Sequence, residues 1–213
     1  MFKKMFQSKT SIYEVLLVVF VASILIANTV VNRVIMLPFG WTSTGAVIAF
    51  IIPMLIGDII AEVYGKDKMF KAIILGFALN LLMVATYTAV NLFPSVQGQE
   101  TIDEAYRIAL GSSARILVAS MLAYLFGMFV NTKVMLWMKG KNNNHFTVRA
   151  FISTVFGQFT DNAIFFILAF SFVLPFDLIL LILVVETGIE ILVESLILPF
   201  THKLQKRLKE LKD

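Results

Sequence analysis

Apolar residues fall into six long runs, 13–31, 44–64, 69–93, 115–138, 148–174 and 178–200, parted by short polar breaks. Each run holds about the 20 residues that carry an α-helix across the hydrocarbon core. None alternates apolar and polar residues over short stretches, as barrel strands do, so each predicts a spanning helix that satisfies its own backbone. The pattern therefore predicts an all-α integral membrane protein, one domain over residues 1–213 built as a bundle of six transmembrane helices. The segment from 94 to 114 departs from it. There Ile102, Ala105, Tyr106 and Ala109 recur at helical spacing among Glu100, Asp103, Glu104 and Arg107, which predicts a short surface helix with no assigned chemistry. At the start, Lys3, Lys4 and Lys9 precede an apolar run, as in a signal peptide. That run continues into Asn28, Thr29 and Asn32 without a small-residue cleavage site, so it reads as the first spanning helix.

Composition removes whole classes of function. With 59% hydrophobic and 15% charged residues and a mean hydropathy of +0.86, the chain is not a water-soluble globular domain. Its net charge of +4 suggests nucleic acid only until the bases are placed. Lys3, Lys4, Lys9, Lys66, Lys68, Lys71, Lys139, Lys141, Arg149, Lys203, Lys206, Arg207, Lys209 and Lys212 all flank spans on one side; Arg33 and Arg107 lie on the other, and Arg115 and Lys133 fall inside the fourth span. Positive segments stay in the cytoplasm, so both termini are expected there, and no nucleic-acid partner is expected. The lysines of the tail 201–213, beside Leu204, Leu208 and Leu211, predict a helical extension resting on anionic lipid. There is no cysteine, and His145 and His202 are the only imidazoles, both in polar connections, so no metal site, cofactor or catalytic triad is expected. A nucleotide-binding glycine loop is also missing, so the chain is not expected to be an ATPase or another enzyme.

The information lies in the polar residues that the membrane penalises. Counting along each span puts Asp58, Asn80, Gln158, Asp161 and Glu186 in its middle third, Arg115 nearer the outer face, Glu62 and Glu194 nearer the inner one, and Tyr124 and Glu190 between. Glu186, Glu190 and Glu194 recur every four residues, hence on one stripe that must face the bundle interior. Six acids meet only Arg115 and Lys133 within the spans, which makes proton coupling chemically available. A purely structural reading pairs one or two of them with Arg115 or with hydroxyl and backbone donors. Pro53 and Gly57 before Asp58, and Gly157 and Gln158 before Asp161, predict interruptions in the second and fifth spans, the middle helices of two inverted three-helix halves. Ser23 and Ala27 form a small pair suited to close helix packing. Asp58 and Asp161 also invite an intramembrane aspartyl protease, but Asp58 lacks the Gly-x-Gly-Asp context of those enzymes.

Three segments, Gly57-Asp58-Ile-Ile-Ala-Glu62-Val-Tyr64-Gly65, Ala114-Arg115-Ile-Leu-Val-Ala119-Ser120-Met-Leu-Ala123-Tyr124 and Ser153-Thr-Val-Phe-Gly157-Gln158-Phe-Thr-Asp161-Asn-Ala-Ile-Phe165-Phe166, carry a family resemblance. Together they resemble the vitamin uptake transporter (VUT) family of queuosine precursor transporters, from the first span to the sixth. The resemblance implies a multi-pass protein of the bacterial cytoplasmic membrane that imports 7-deazaguanine bases such as 7-cyano-7-deazaguanine or 7-aminomethyl-7-deazaguanine. A purine-like base of that kind offers N–H donors to a carboxylate, an O6 acceptor to an amide or Arg, and a flat face to a ring. On that reading Asp161 or Glu186 takes the donor edge, Gln158 or Asn80 meets O6, and Tyr124 or Phe165 stacks; Asp58, Arg115 and Glu190 complete the expected binding set. The family often has a Gln-x-x-Asp in the fourth span where this chain has Met128 and Asn131, and a lysine where Glu190 stands. The added carboxylate points to a cationic ligand such as the aminomethyl base, or to a different substrate. Six spans also suit the substrate-binding subunit of an energy-coupling-factor transporter, which would dock on separate energy-coupling subunits; a homo-oligomer is a further expectation for partners.

Overall fold

The computed structural model describes residues 8–141 and 146–210. Lys3, Lys4, His145, Leu211 and Lys212 lie outside the described residues, as do the side chains of Lys139, Lys141, His202, Lys206 and Lys209. Almost all of the described chain is helical: α1 (Lys9–Val30), α2 (Ala46–Ala49), α3 (Ile51–Ile59), α4 (Lys66–Asn91), α5 (Glu100–Leu110), α6 (Ser113–Lys141), α7 (Phe146–Phe170) and α8 (Phe176–Glu210). Between α1 and α2 a two-stranded hairpin, β1 (Val34–Met36) and β2 (Thr42–Thr44), turns at Pro38–Gly40. Phe39 and Gly40 both take positive φ in that turn.

Five segments are long and apolar enough to cross a membrane: Lys9–Val30, Ala46–Tyr64, Lys66–Asn91, Glu100–Met138 and Phe151–Phe170. The expected sixth, on α8, is not among them. Its apolar stretch from 178 to 197 is studded with Glu186, Glu190 and Glu194, so length is present but the composition of an ordinary span is not. The expected interruptions are corrected in detail. In the second span the helix divides at Phe50, between α2 and α3, and widens after Asp58 into a π-turn at Ile60–Tyr64. Pro53 sits in the first turn of α3, where a missing N–H costs nothing. In the fifth span α7 runs unbroken through Gly157 and Gln158; the glycine there serves packing and not unwinding.

The chain forms two compact units. The first comprises Met1–Arg33, Thr44–Gly111 and Leu192–Asp213. Ser8 caps α1 by accepting from the Ser11 N–H at 3.1 Å, and the 22 residues that follow reach about 33 Å. Helices in lipid gain little from apolar attraction alone, so close approach and polar contacts must hold them. The buried stripe of α4, Ala72, Gly76, Asn80 and Val84 at spacings of four, presents mostly small residues, and a Cβ at Gly76 would meet Ile24 Cδ1 of α1 at 3.5 Å. Ser23 and Ala27 of α1 are buried likewise. Tyr13 donates its hydroxyl to the Lys68 carbonyl at 3.1 Å, and the Lys68 ammonium lies 4.7 Å from the Tyr13 ring. Tyr13, Phe20 and Val21 of α1 close a core with Ile56, Ile60 and Ala72. A second cluster joins Ile12, Ile59 and Val63 to Leu208 near the end of α8. The tail is helical to Glu210, with Leu208 packed on protein and Leu204 presented outward.

Gly65 ends the π-turn at φ 85° and ψ 171°, a backbone state open essentially only to glycine. Gly65→Ala meets no steric contact beyond the residue itself, so it should lower stability by about 1–3 kcal/mol through backbone strain alone. Thermal unfolding in detergent measures this; an unchanged midpoint would mean that the turn relaxes.

The second unit comprises Val34–Ser43 and Ser112–Ile191. Its frame is the pair α6 and α7, joined where Gly127 meets Gly157. A Cβ at Gly127 would lie 2.9 Å from Asp161 Cβ and 3.0 Å from the Gly157 carbonyl oxygen; one at Gly157 would lie 2.8 Å from Asn131 Cβ and 3.1 Å from the Gly127 carbonyl oxygen. Buried Ala119 and Ala123 on α6 and buried Ser153 on α7 extend the same small-residue stripes. Phe166, itself 1% exposed, stacks on Phe170 with ring centroids 6.0 Å apart.

Candidate functional site

Of the eight residues expected to bind substrate, Arg115, Tyr124, Gln158, Asp161, Glu186 and Glu190 belong to the second unit, whereas Asp58 and Asn80 belong to the first. The close α6–α7 crossing places Asp161 against the α6 backbone at Gly127, one turn from Tyr124. The next residue, Asn162, is buried and turns its amide to α8: Nδ2 donates to Glu190 Oε2 at 2.7 Å and to Thr187 Oγ1 at 3.0 Å. One turn earlier on α8, Glu186 is 4% exposed and accepts from Ser43 Oγ of β2 at 2.7 Å.

Three of these partners were not singled out by the sequence. Ser43, Asn162 and Thr187 are neutral polar residues of a kind that occurs throughout membrane helices and loops, and only their contacts give them weight. The weak signals were adjacency, Asn162 to Asp161 and Thr187 to Glu186, and the polar run Thr42-Ser43-Thr44 before the second span. Their chemistry is consistent. A buried carboxylate needs hydrogen bonds to offset the loss of water, and here a hydroxyl and an amide supply them. Arg115, the cation proposed as a structural partner, has its Nε buried without a hydrogen-bond partner.

In the first unit Asp58 is exposed on α3, and Glu194 of α8 belongs to the same unit. Glu62 follows within the π-turn, a distortion that recurs at functional sites in helices. Asn80 is 1% exposed, and neither its Oδ1 nor its Nδ2 has a hydrogen-bond partner. An amide left so is costly. Among the described residues no group of three or more acidic or imidazole side chains is arranged to hold a metal ion.

What the second unit offers chemically is a set of hydrogen-bond acceptors, Glu186 and Glu190, backed by the neutral donors Ser43 and Asn162. Carboxylate acceptors suit partners rich in N–H groups. No curated protein and no solved structure matches the chain. The family described as "Putative vitamin uptake transporter" matches residues 44–204, a stretch that holds α2 to α7, the two glycines of the helix crossing and the carboxylates Asp58, Asp161, Glu186 and Glu190. The chain belongs to this vitamin uptake transporter family, as a multi-pass membrane protein.

Proposed function

We propose that this chain imports a 7-deazaguanine base, a queuosine precursor, across the bacterial cytoplasmic membrane as a stand-alone secondary transporter. The observation that carries the reading is the carboxylate pair of the second unit, buried Glu186 with its Ser43 donor and half-buried Glu190 with its Asn162 donor, the residue next to Asp161. Glu186 or Asp161 takes the N1–H and exocyclic amine of the base, Gln158 meets O6, and Tyr124 or Phe165 covers the ring face. Glu190 faces the 7-substituent, which favours the cationic aminomethyl base over the cyano base. Arg115 and Asn80 complete the polar set within their own units. Asp58 carries the coupling proton. In this proposal α8 is the sixth crossing, its three carboxylates turned from lipid, the helices form two inverted three-helix halves, and both termini are cytoplasmic, as the lysine-rich connections support.

The test is uptake of labelled 7-aminomethyl-7-deazaguanine by the purified chain in proteoliposomes. Accumulation without any partner protein, increased by an inward proton gradient and competed more weakly by the cyano base, is expected. Binding without accumulation is the result expected of a substrate-binding subunit that depends on energy-coupling partners, and it would overturn the stand-alone mechanism. No binding of either base would overturn the substrate.

A further inference from the structure

We propose that α5 is an interfacial helix whose apolar side is covered by lipid, lying along the boundary between headgroups and acyl chains of the leaflet at which α4 ends. The helix has 11 residues and buries none of them against the protein. At about 1.5 Å per residue it reaches roughly 16 Å, too short to cross a bilayer, and helices of this length do not hold in water without an apolar face to cover. That face exists. Ile102, Ala105, Tyr106 and Ala109 form one arc, with Ile102 63% and Tyr106 43% exposed.

The covalent and hydrogen-bonded ties of α5 fix its height at the ends of spanning helices. Gly111 and Ser112 alone separate it from α6, and Asn32 Nδ2, just past α1, donates to the Ala109 carbonyl at 3.0 Å. The apolar arc is also continuous with exposed apolar surface at the end of α4. A groove of about 360 Å³ runs between α5 and the end of α4, lined by Phe93, Val96, Gln99, Ile102, Asp103 and Tyr106. Val90, Leu92 and Phe93 at that end of α4 are themselves exposed apolar residues. Hydrocarbon therefore covers the α4 terminus and the α5 arc as one surface, with the Tyr106 ring at the depth where aromatic residues of membrane proteins gather.

Charge decides which kind of lipid surface this is. The side away from the arc carries Glu100, Asp103 and Glu104 against Arg107, and Arg107 Nε is paired with Asp103 Oδ2 at 3.0 Å. Glu100 accepts from its own backbone N–H and from that of Gly98, at 3.0 Å for the latter, and these bonds hold its carboxyl below the usual range. A negative outer side has no attraction for anionic headgroups, in contrast to the basic amphipathic helices that seek them. The anchoring is apolar, and zwitterionic lipid suffices.

The absence of cysteine makes the test direct. Ala105→Cys, Ala109→Cys and Glu104→Cys, each bearing an environment-sensitive fluorophore, are placed in phosphatidylcholine proteoliposomes. For the Ala105 and Ala109 positions, blue-shifted emission is expected, with stronger quenching by lipid brominated near the headgroup than near the chain end. The Glu104 position should be quenched by aqueous iodide, and added phosphatidylglycerol or salt should alter none of this. Three results would overturn the proposal: iodide quenching of all three positions alike, which leaves the arc in water; strongest quenching by deep bromines, which makes α5 part of a span; or protection of the arc from both quenchers, which means that protein covers it.

Discussion

Asp161→Asn and Glu186→Gln should each abolish measurable uptake of a labelled 7-deazaguanine base while leaving the protein in the membrane. Both substitutions keep the shape of the side chain and remove the charge to which the proposed site assigns the donor edge of the base. A hydrogen bond to a charged group is worth roughly 1.5–3 kcal/mol, so each variant loses about ten- to a hundredfold in affinity. Glu186→Gln retains an oxygen that accepts from Ser43 Oγ, so the hairpin contact at 2.7 Å survives and any loss belongs to the ligand. Ser43→Ala removes only that contact and should reduce uptake less. The readout is initial uptake rate against the amount of protein in the membrane fraction. Wild-type rates in both acid variants would sink the site.

Gly157→Leu should prevent assembly of the second unit, by a route unconnected with ligand chemistry. Even a bare Cβ there would stand 2.8 Å from Asn131 Cβ, and the Gly127 carbonyl oxygen at 3.1 Å is backbone that cannot rotate away. Overpacking costs about 1–3 kcal/mol where neighbours can shift; here the neighbour is a helix axis, so the cost lies at or above that range. Gly188→Leu, on an exposed position with nothing within 4 Å, is the matched control. Thermal unfolding in detergent should show a large fall in midpoint for Gly157→Leu and a small one for Gly188→Leu. Equal midpoints would show that α6 and α7 separate without penalty.

The sequence reveals helices here far better than contacts. Apolar runs mark α1, α4, α6 and α7 to within a few residues because the cost of unsatisfied backbone in lipid leaves no other structure for them. The same logic blurs α8, which is apolar enough for a span but carries three carboxylates in the stretch that would cross, although the helix itself continues to Glu210. The β1–β2 hairpin was invisible: its strands are three residues each, and Val34–Met36 reads as the fading edge of the first apolar run. Pro53 and Gly157 misled in the same way, since a proline in a first turn and a glycine at a helix crossing both leave the helix intact. Asp161, Glu186 and Glu190 stood out because charge is costly in the membrane, whereas Ser43, Asn162 and Thr187 did not, because neutral polar groups are cheap enough there to carry no mark until a partner is seen.

The crossing of α6 and α7 also limits how the protein can move. Where helices meet through long side chains, rotamer changes let one slide past the other by an ångström or two. At Gly127 and Gly157 each backbone carbonyl stands where the other's side chain would be, and no rotamers exist to absorb a shear. The two helices must then travel as a single lever. Within the second unit the contacts to α8 are made apart from that crossing, by Ser43 of the hairpin to Glu186 and by Asn162 in the middle of α7 to Thr187 and Glu190, so α8 is tied by side chains that can change rotamer where α6 and α7 are not.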